Sequence, residues 1–422
     1  MGFKKVKKEN VFSRRVFLKA FFSIGLISAL GNRTVANSSI DLSSTAARLS
    51  KWDDQFDVQV SNGIQVSSNY PILGQTSIHY TKTAIARYND IVAEGDWPIV
   101  PIAQGRLQIG MEDPIVSILR QRLFIAGDLA YEAGMSQAFD TYVDAALRRF
   151  QSRHGLPLDG VLGDVTYRAL NVSAQIRLNQ LCINLERLNK IASITAKEHR
   201  FVMVNIPAAQ IEVVENGVVV QRHVAIVGKI DRQTPILNSK IHEIILNPFW
   251  VIPKSIILKD IIPLMRKKPS YLTENNIHLF DKKGQKIFPQ SVNWNTNEAV
   301  NLTFRQDPGK INAMSSTKIN FYNTHSVYMH DTPLQEPFNN WMRFDSSGCI
   351  RVQNIRDLNL WILKNTPGWD RITMEAVIRS RKNKPIQVKD PVPLHFVYIS
   401  AWSTNEGIIH FRDDIYHMDD SL

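Results

Sequence analysis

Two short segments of this 422-residue chain concentrate side chains able to do chemistry. In Ser326-Val327-Tyr328-Met329-His330, apolar and polar residues alternate. An extended strand here buries Val327 and Met329 and aims Tyr328 and His330 at the opposite face. In Ser346-Ser347-Gly348-Cys349-Ile350-Arg351-Val352 the same alternation predicts Ile350 and Val352 inward, with Ser347, Cys349 and Arg351 sharing the other side. A free thiol titrates near ~8.5 and is mostly protonated at neutral pH, so a neighbouring cation that favours the thiolate suits a nucleophile. Gly348, without a side chain, lets a substrate approach the backbone and brings N–H groups near the oxygen that gains charge in a tetrahedral intermediate. The chemistry expected is acyl transfer.

Rival chemistries lack their residues. No pair or triplet of His, Asp and Glu has metal spacing, and neither of the two cysteines belongs to a C-x-x-C pair. Gly228-Lys229 is followed by Ile230, without the hydroxyl of a phosphate-binding loop. No metal or cofactor is therefore expected. Cys182 falls on the apolar face of a helix over 174–190, with Leu178, Leu181, Leu185 and Leu188, and is expected to be an inert core thiol. His223 and His325 read as edge or surface residues.

The elements that must position these groups belong to an α+β multidomain chain. At 44% hydrophobic and 21% charged residues, it carries enough apolar side chain for real cores, which excludes wholesale disorder. From Phe201 short β-rich runs follow one another: 201–206, 211–214, 218–220, 224–227 and 241–246, with Asn216-Gly217 as a two-residue hairpin turn. The stretch 254–300, richer in Lys, Asn and Pro, interrupts this rhythm and reads as an inserted cap. The mostly-β catalytic domain is placed at 199–380 and a C-terminal tail at 381–422. Upstream, 107–171 reads as a small module of three helices, 81–106 as a helical scaffold segment and 172–198 as a linking helix. In the turn Leu158-Asp159-Gly160-Val161-Leu162-Gly163, two glycines are expected to supply positive φ. Residues 37–80, rich in Ser, Asn, Gln and Thr, read as a loosely ordered lead-in.

The formal charge of +11 suggests nucleic acid until it is partitioned. Residues 1–36 hold eight Lys/Arg against Glu9 alone, leaving an ordinary excess of +4 for the rest. No nucleic-acid partner is expected. Ser13-Arg14-Arg15-Val16-Phe17-Leu18-Lys19, the apolar run Ala20 to Gly31 and Thr34-Val35-Ala36 resemble a twin-arginine export signal, cut after Ala36. The run of twelve residues is short of the ~20 that span a bilayer. A periplasmic location follows from that resemblance, with membrane contact only during export.

Two further resemblances carry function. Leu119-Arg120-Gln121-Arg122-Leu123, Gly127-Asp128-Leu129, Arg149-Phe150-Gln151-Ser152-Arg153-His154-Gly155-Leu156 and Asp159-Gly160-Val161-Leu162-Gly163 resemble the three-helix peptidoglycan-binding domain. Asn247-Pro248-Phe249-Trp250-Val251-Ile252-Pro253, Tyr328-Met329-His330-Asp331-Thr332-Pro333 and Ser346-Ser347-Gly348-Cys349-Ile350-Arg351 resemble the L,D-transpeptidase catalytic domain, of the larger periplasmic type with an inserted cap. That likeness implies Cys349 as nucleophile, His330 as proton acceptor and donor, and backbone N–H groups of Gly348 and Cys349 for the oxyanion. It also implies that Arg351, Tyr328, Trp250 and Ser347 shape the substrate channel. A glycine usual upstream of the active-site strand is replaced near Met314-Ser315, which leaves the turn there open.

The activity implied is acyl transfer from a tetrapeptide donor stem of peptidoglycan, releasing D-alanine and forming 3-3 diaminopimelate cross-links. Partners implied are stem peptides and glycan, with cell-wall synthases as candidates. Two other outcomes stay open: hydrolysis by an L,D-carboxypeptidase, and a non-catalytic peptidoglycan-binding protein.

Overall fold

The computed structural model describes residues 68–130 and 133–419; the expected leader and most of the lead-in lie outside them. Helix α1 (Gln75–Ala93) begins six residues earlier than the sequence pattern suggests. The segment before it is anchored: Ile72 and Leu73 are buried, and the Ile72 N–H donates to a Glu212 carboxylate oxygen at 2.9 Å.

Three helices build the small module: α2 (Ile115–Ala126), α3 (Thr141–His154) and α4 (Asp164–Leu170). Asp140 caps α3 through the Val143 N–H, and glycines in the left-handed conformation, Gly127 and Gly155, end α2 and α3. Leu119, Leu123, Val143, Leu147, Phe150 and Leu162 form its core. In the turn before α4, Gly160 has φ +69° and a side chain there would collide with Asp144; Gly163 has φ −112° and needs no such freedom.

Helix α5 (Ala174–Thr195) packs along α1. Cys182 lies on its exposed side rather than in the core, because the buried stripe runs through Leu178, Leu181, Asn184 and Leu188.

The unit from Arg200 onward is built on a sheet that closes on itself. Its strands are β1 (Arg200–Asn205), β2 (Gln210–Glu215), β3 (Val218–Gly228) and β4 (Leu237–Leu246), then five more beyond the cap. The cap contributes β5 (Trp250–Val251), β6 (Ile277–Phe280), β7 (Lys286–Ile287) and β8 (Thr303–Gln306) as a separate four-stranded sheet with its own apolar core. The main sheet resumes with β9 (Thr317–Phe321), β10 (Met329–His330), β11 (Phe344–Ser346), β12 (Ile350–Val352) and β13 (Lys384–Val397). Its order is β11-β3-β12-β10-β9-β4-β13-β1-β2, and β2 also pairs with β3, so the ring is closed. Val204, Val227, Ile244, Ile319, Met329, Ile350 and Leu394 fill its interior, closed off by helices α6 (Ile355–Leu363) and α7 (Arg371–Ser380).

Asn216 and Gly217 both have positive φ, as the β2–β3 hairpin requires. The two runs expected over 218–220 and 224–227 are one strand with a register shift against β2.

The segment read as a tail is structural. Strand β13 sits between β4 and β1, and β14 (Ala401–Ser403) pairs with β15 (Ile409–Phe411), burying Trp402 completely. Strand β15 packs on α3: Arg412 donates to the Arg153 carbonyl at 2.9 Å, and His154 is stacked between Phe150 and Phe411. Gly155 leaves room for this, since a Cβ there would stand 2.8 Å from Arg412 Cδ. Among the described residues no helix is long and apolar enough to cross a membrane.

Candidate active site

Strands β10 and β12 run side by side in parallel, with Met329 opposite Ile350 and His330 opposite Arg351. That register puts Tyr328 beside Cys349 one step earlier. The four side chains share the face opposite the buried Met329 and Ile350. The extended run is shorter than the sequence suggests: Ser326 has φ +57°, and the Asn323 side chain holds the bend through the N–H and C=O of Val327. Strand pairing begins only at Met329.

The second segment is likewise broken. Strands β11 and β12 are separated by a turn at Ser347-Gly348-Cys349, with Gly348 at φ +106°. The turn sends Ser347 outward, where its Oγ accepts from Arg232 Nη1 at 2.9 Å, instead of onto the face that holds Cys349 and Arg351. Arg232 also pairs with Asp260 of the cap at 2.8 Å and 3.1 Å, linking the cap to this turn.

Cys349 is half-buried, and burial pushes its thiol above the ordinary value. Hydrogen bonds from the Tyr328 backbone and hydroxyl, together with the charges of Lys318 and Arg351, act against that rise without reversing it. The sequence pattern predicts a lowered thiol; the enclosure of the sulfur overrides its cationic neighbours. His330 is 8% exposed, and desolvation lowers its pKa to about 4, helped by Arg351 and Lys318. Its Nδ1 lies 2.5 Å from the Asp331 carbonyl oxygen. A carbonyl only accepts, so Nδ1 carries the hydrogen and Nε2 keeps its lone pair. Both groups are therefore neutral at rest, with the imidazole in the tautomer of a base.

Tyr328 links two elements. Its hydroxyl is hydrogen-bonded to Cys349 and to the indole of Trp250, on the first strand of the cap. Lys318 Nζ lies 4.3 Å from the centre of its ring. Lys318 stands opposite His330 on β9 and is partly desolvated, which lowers its pKa. It is absent from the sequence-based site although Lys318-Ile319-Asn320-Phe321 alternates polar and apolar residues and so signals its face.

Gly348 departs from expectation. Its N–H donates to Ser346 Oγ at 3.1 Å, and its carbonyl accepts from Thr234 Oγ1 at 2.9 Å. The N–H assigned to the oxyanion is thus engaged within the turn, because Ser346 is folded back beneath it.

Near Met314 the open turn question is resolved. Ser315 has φ +45°, the conformation a glycine would adopt, with its N–H donating to the Asn312 carbonyl at 2.8 Å. His223, expected at an edge or the surface, is buried, and its Nδ1 lies 2.9 Å from the Gln353 carbonyl oxygen; His325 is exposed. Among the described residues no three His, Cys, Asp or Glu side chains converge as a metal ion needs.

The L,D-transpeptidase catalytic domain family matches residues 199–376. A second family, described as "Putative peptidoglycan binding domain", matches 112–170, the three-helix module. A curated relative from Haemophilus influenzae, described as "Putative L,D-transpeptidase", is 32% identical over 244 residues, which is 57% of this chain and 48% of its own length. The chain thus spans about half the length of that relative. An L,D-transpeptidase from Mycobacterium smegmatis is 14% identical over 47% of this chain and 58% of its own, with a TM-score of 0.24. One from Stackebrandtia nassauensis is 15% identical over 71% of this chain and 96% of its own, with a TM-score of 0.25.

The transpeptidase domain match ends at residue 376, before β13, yet the closed sheet needs that strand. Cys349, His330, Tyr328 and Arg351 come together on its one face, Trp250 reaches it from the cap, and Ser347 points away to Arg232.

Proposed function

We propose that this chain is a cysteine acyltransferase of the periplasm that makes 3-3 cross-links in peptidoglycan. The observation that carries this reading is the juxtaposition of Cys349 with Tyr328 and His330 across β10 and β12, inside the matched transpeptidase domain.

The Cys349 thiol gives its proton to His330 Nε2, whose Nδ1–H is held by the Asp331 carbonyl. The thiolate attacks the carbonyl at the L-centre of diaminopimelate in a donor tetrapeptide. Tyr328, already hydrogen-bonded to the sulfur, offers a hydroxyl to the charge that develops beside it. Collapse of the intermediate breaks the amide bond, His330 protonates the departing D-alanine amine, and a thioester remains on Cys349. An amine on a neighbouring stem then attacks the thioester, its proton passes to His330, and the thiol is restored. Covalent storage of the acyl group removes any need for ATP.

A neutral Cys–His pair suits this sequence. Ionising the thiol alone in a desolvated site is costly, whereas a transfer coupled to attack keeps net charge low until the substrate carbonyl can receive it. Lys318 and Arg351 then stabilise the negative charge wherever it resides. The peptidoglycan-binding module, docked through β15, would keep the site on its polymer and raise the local substrate concentration. The twin-arginine leader supports export to the periplasm.

Incubating the mature protein with disaccharide-tetrapeptide and weighing the products tests the reading. A cross-linked dimer with loss of D-alanine is expected, and Cys349→Ala abolishes it. A tripeptide alone would make the enzyme a carboxypeptidase, and unchanged substrate would leave a wall-binding protein. A carbapenem adduct on Cys349, read by intact mass, checks the nucleophile independently.

A further inference from the structure

A polar cavity lies where the helical module, the closed sheet and the C-terminal segment meet. Its volume is about 80 Å³, and its walls include His154, Trp341, Arg343, Arg412, His223 and Arg222. A water needs at least about 10 Å³ of such space, so the cavity takes several waters or one small charged group.

Its charge is unbalanced. Arg222 is paired with Glu212 at 3.1 Å and is accounted for. Arg343 donates to the carbonyls of Asn340 and Ala208, but its Nε is buried with no hydrogen-bond partner. Arg412 is 8% exposed and is held by the carbonyls of Arg153 and Phe411. Burial lowers both guanidinium groups, Arg412 to about 9 and Arg343 to about 10; the charge of Arg343 lowers Arg412 further, and the carboxylate of Asp413 acts against that. His154 and His223 are kept neutral by burial, and Asp413 stands exposed at the rim. Buried like charges facing a cavity cost stability unless an anion sits between them.

We propose that the cavity between Arg343 and Arg412 is a carboxylate-binding site, separate from the thiol, that holds a free carboxylate of a peptidoglycan stem peptide beside the helical module. Planar guanidinium groups match a carboxylate in two-point contact. The identity of the ligand rests on the peptidoglycan reading above; the site itself rests on the two arginines. A stem held here extends recognition beyond the reacting peptide and couples the module to the catalytic sheet through Trp341, which packs against the module core.

Trp341 provides a local readout. Disaccharide-tetrapeptide is titrated into the full chain carrying Cys349→Ala and Trp250→Phe, which silences the indole at the thiol site, with tryptophan fluorescence recorded. A saturable change is expected that Trp341→Phe removes. Arg343→Gln should weaken binding about tenfold, Arg343→Lys less, and amidating the peptide carboxylates should weaken it as Arg343→Gln does. Equal affinity in wild type and Arg343→Gln, or a signal that persists in Trp341→Phe, would overturn the site. Tighter binding of inorganic phosphate than of the peptide, at constant ionic strength, would overturn the carboxylate assignment. Absence of a carbapenem adduct on Cys349 would instead remove the transpeptidase reading and leave this titration untouched.

Discussion

Thr234 Oγ1 donates to the carbonyl of Gly348 over 2.9 Å, and the same hydroxyl accepts the N–H of Gly228 at 2.9 Å. Tyr416, from the C-terminal segment, completes the cluster: its hydroxyl donates to the Gly228 carbonyl at 2.6 Å and accepts the Thr234 N–H at 3.2 Å. The turn that carries Cys349 is therefore braced by residues far away in sequence. All of these groups are buried, so each lost partner leaves an unsatisfied polar atom.

Thr234→Val should accordingly destabilise the fold by roughly 1–3 kcal/mol and slow acylation of Cys349, because the turn loses its brace. Tyr416→Phe should do the same more weakly. Denaturant unfolding measures the first effect and the rate of carbapenem adduct formation the second. Unchanged acylation in a destabilised Thr234→Val protein would show that the brace serves stability alone.

The raised thiol makes a kinetic statement. Alkylation of Cys349 by iodoacetamide, in a Cys182→Ser background, should be slow at pH 7 and still be climbing at pH 9. A plateau below pH 8 would mean that the thiolate is already favoured at rest.

Lys318 faces the thiol across Tyr328, and its charge favours the thiolate. Lys318→Met should shift the alkylation profile to higher pH and lower the acylation rate at neutral pH, with Lys318→Arg retaining most of both. Because Lys318 is only partly buried, loss of the fold is not expected, and circular dichroism should be unchanged.

Acid should destabilise this protein well before its carboxylates titrate. His330 has a folded pKa of about 4 against an ordinary 6.5, and His154 and His410 are also held well below that value by burial. Unfolded chains bind these protons first, so the stabilisation is complete above pH 6.5 and is lost as pH falls from there toward 4. For His330 the full loss is about 3 kcal/mol. Melting curves from pH 7.5 to 4.5 should show Tm falling through this window, less steeply in His330→Gln; a Tm flat down to pH 5 would contradict the burial of these rings.

Much of this architecture was legible in the residues. Alternation in Val327–Met329 and Ile350–Val352 correctly separates the buried face from the face of Tyr328, His330, Cys349 and Arg351, since side chains of a strand must alternate. Asn216-Gly217 announces its hairpin because few other residues accept two positive φ values in succession. The helical spacing of Leu119, Leu123, Val143, Leu147 and Phe150 likewise marks the module core.

Other features depend on contacts between residues remote in sequence. No local pattern tells that Lys384–Val397 runs between β4 and β1, or that Arg412 threads past Gly155, because strand order and docking are set by which surfaces meet. The same holds for the electrostatics. Composition puts Cys349 near an arginine and a histidine, which argues for a lowered thiol, but desolvation depends on everything that encloses the sulfur. The sequence by itself determined which groups share the reactive face; only the tertiary structure decided their protonation, since burial is a property of the whole packed molecule.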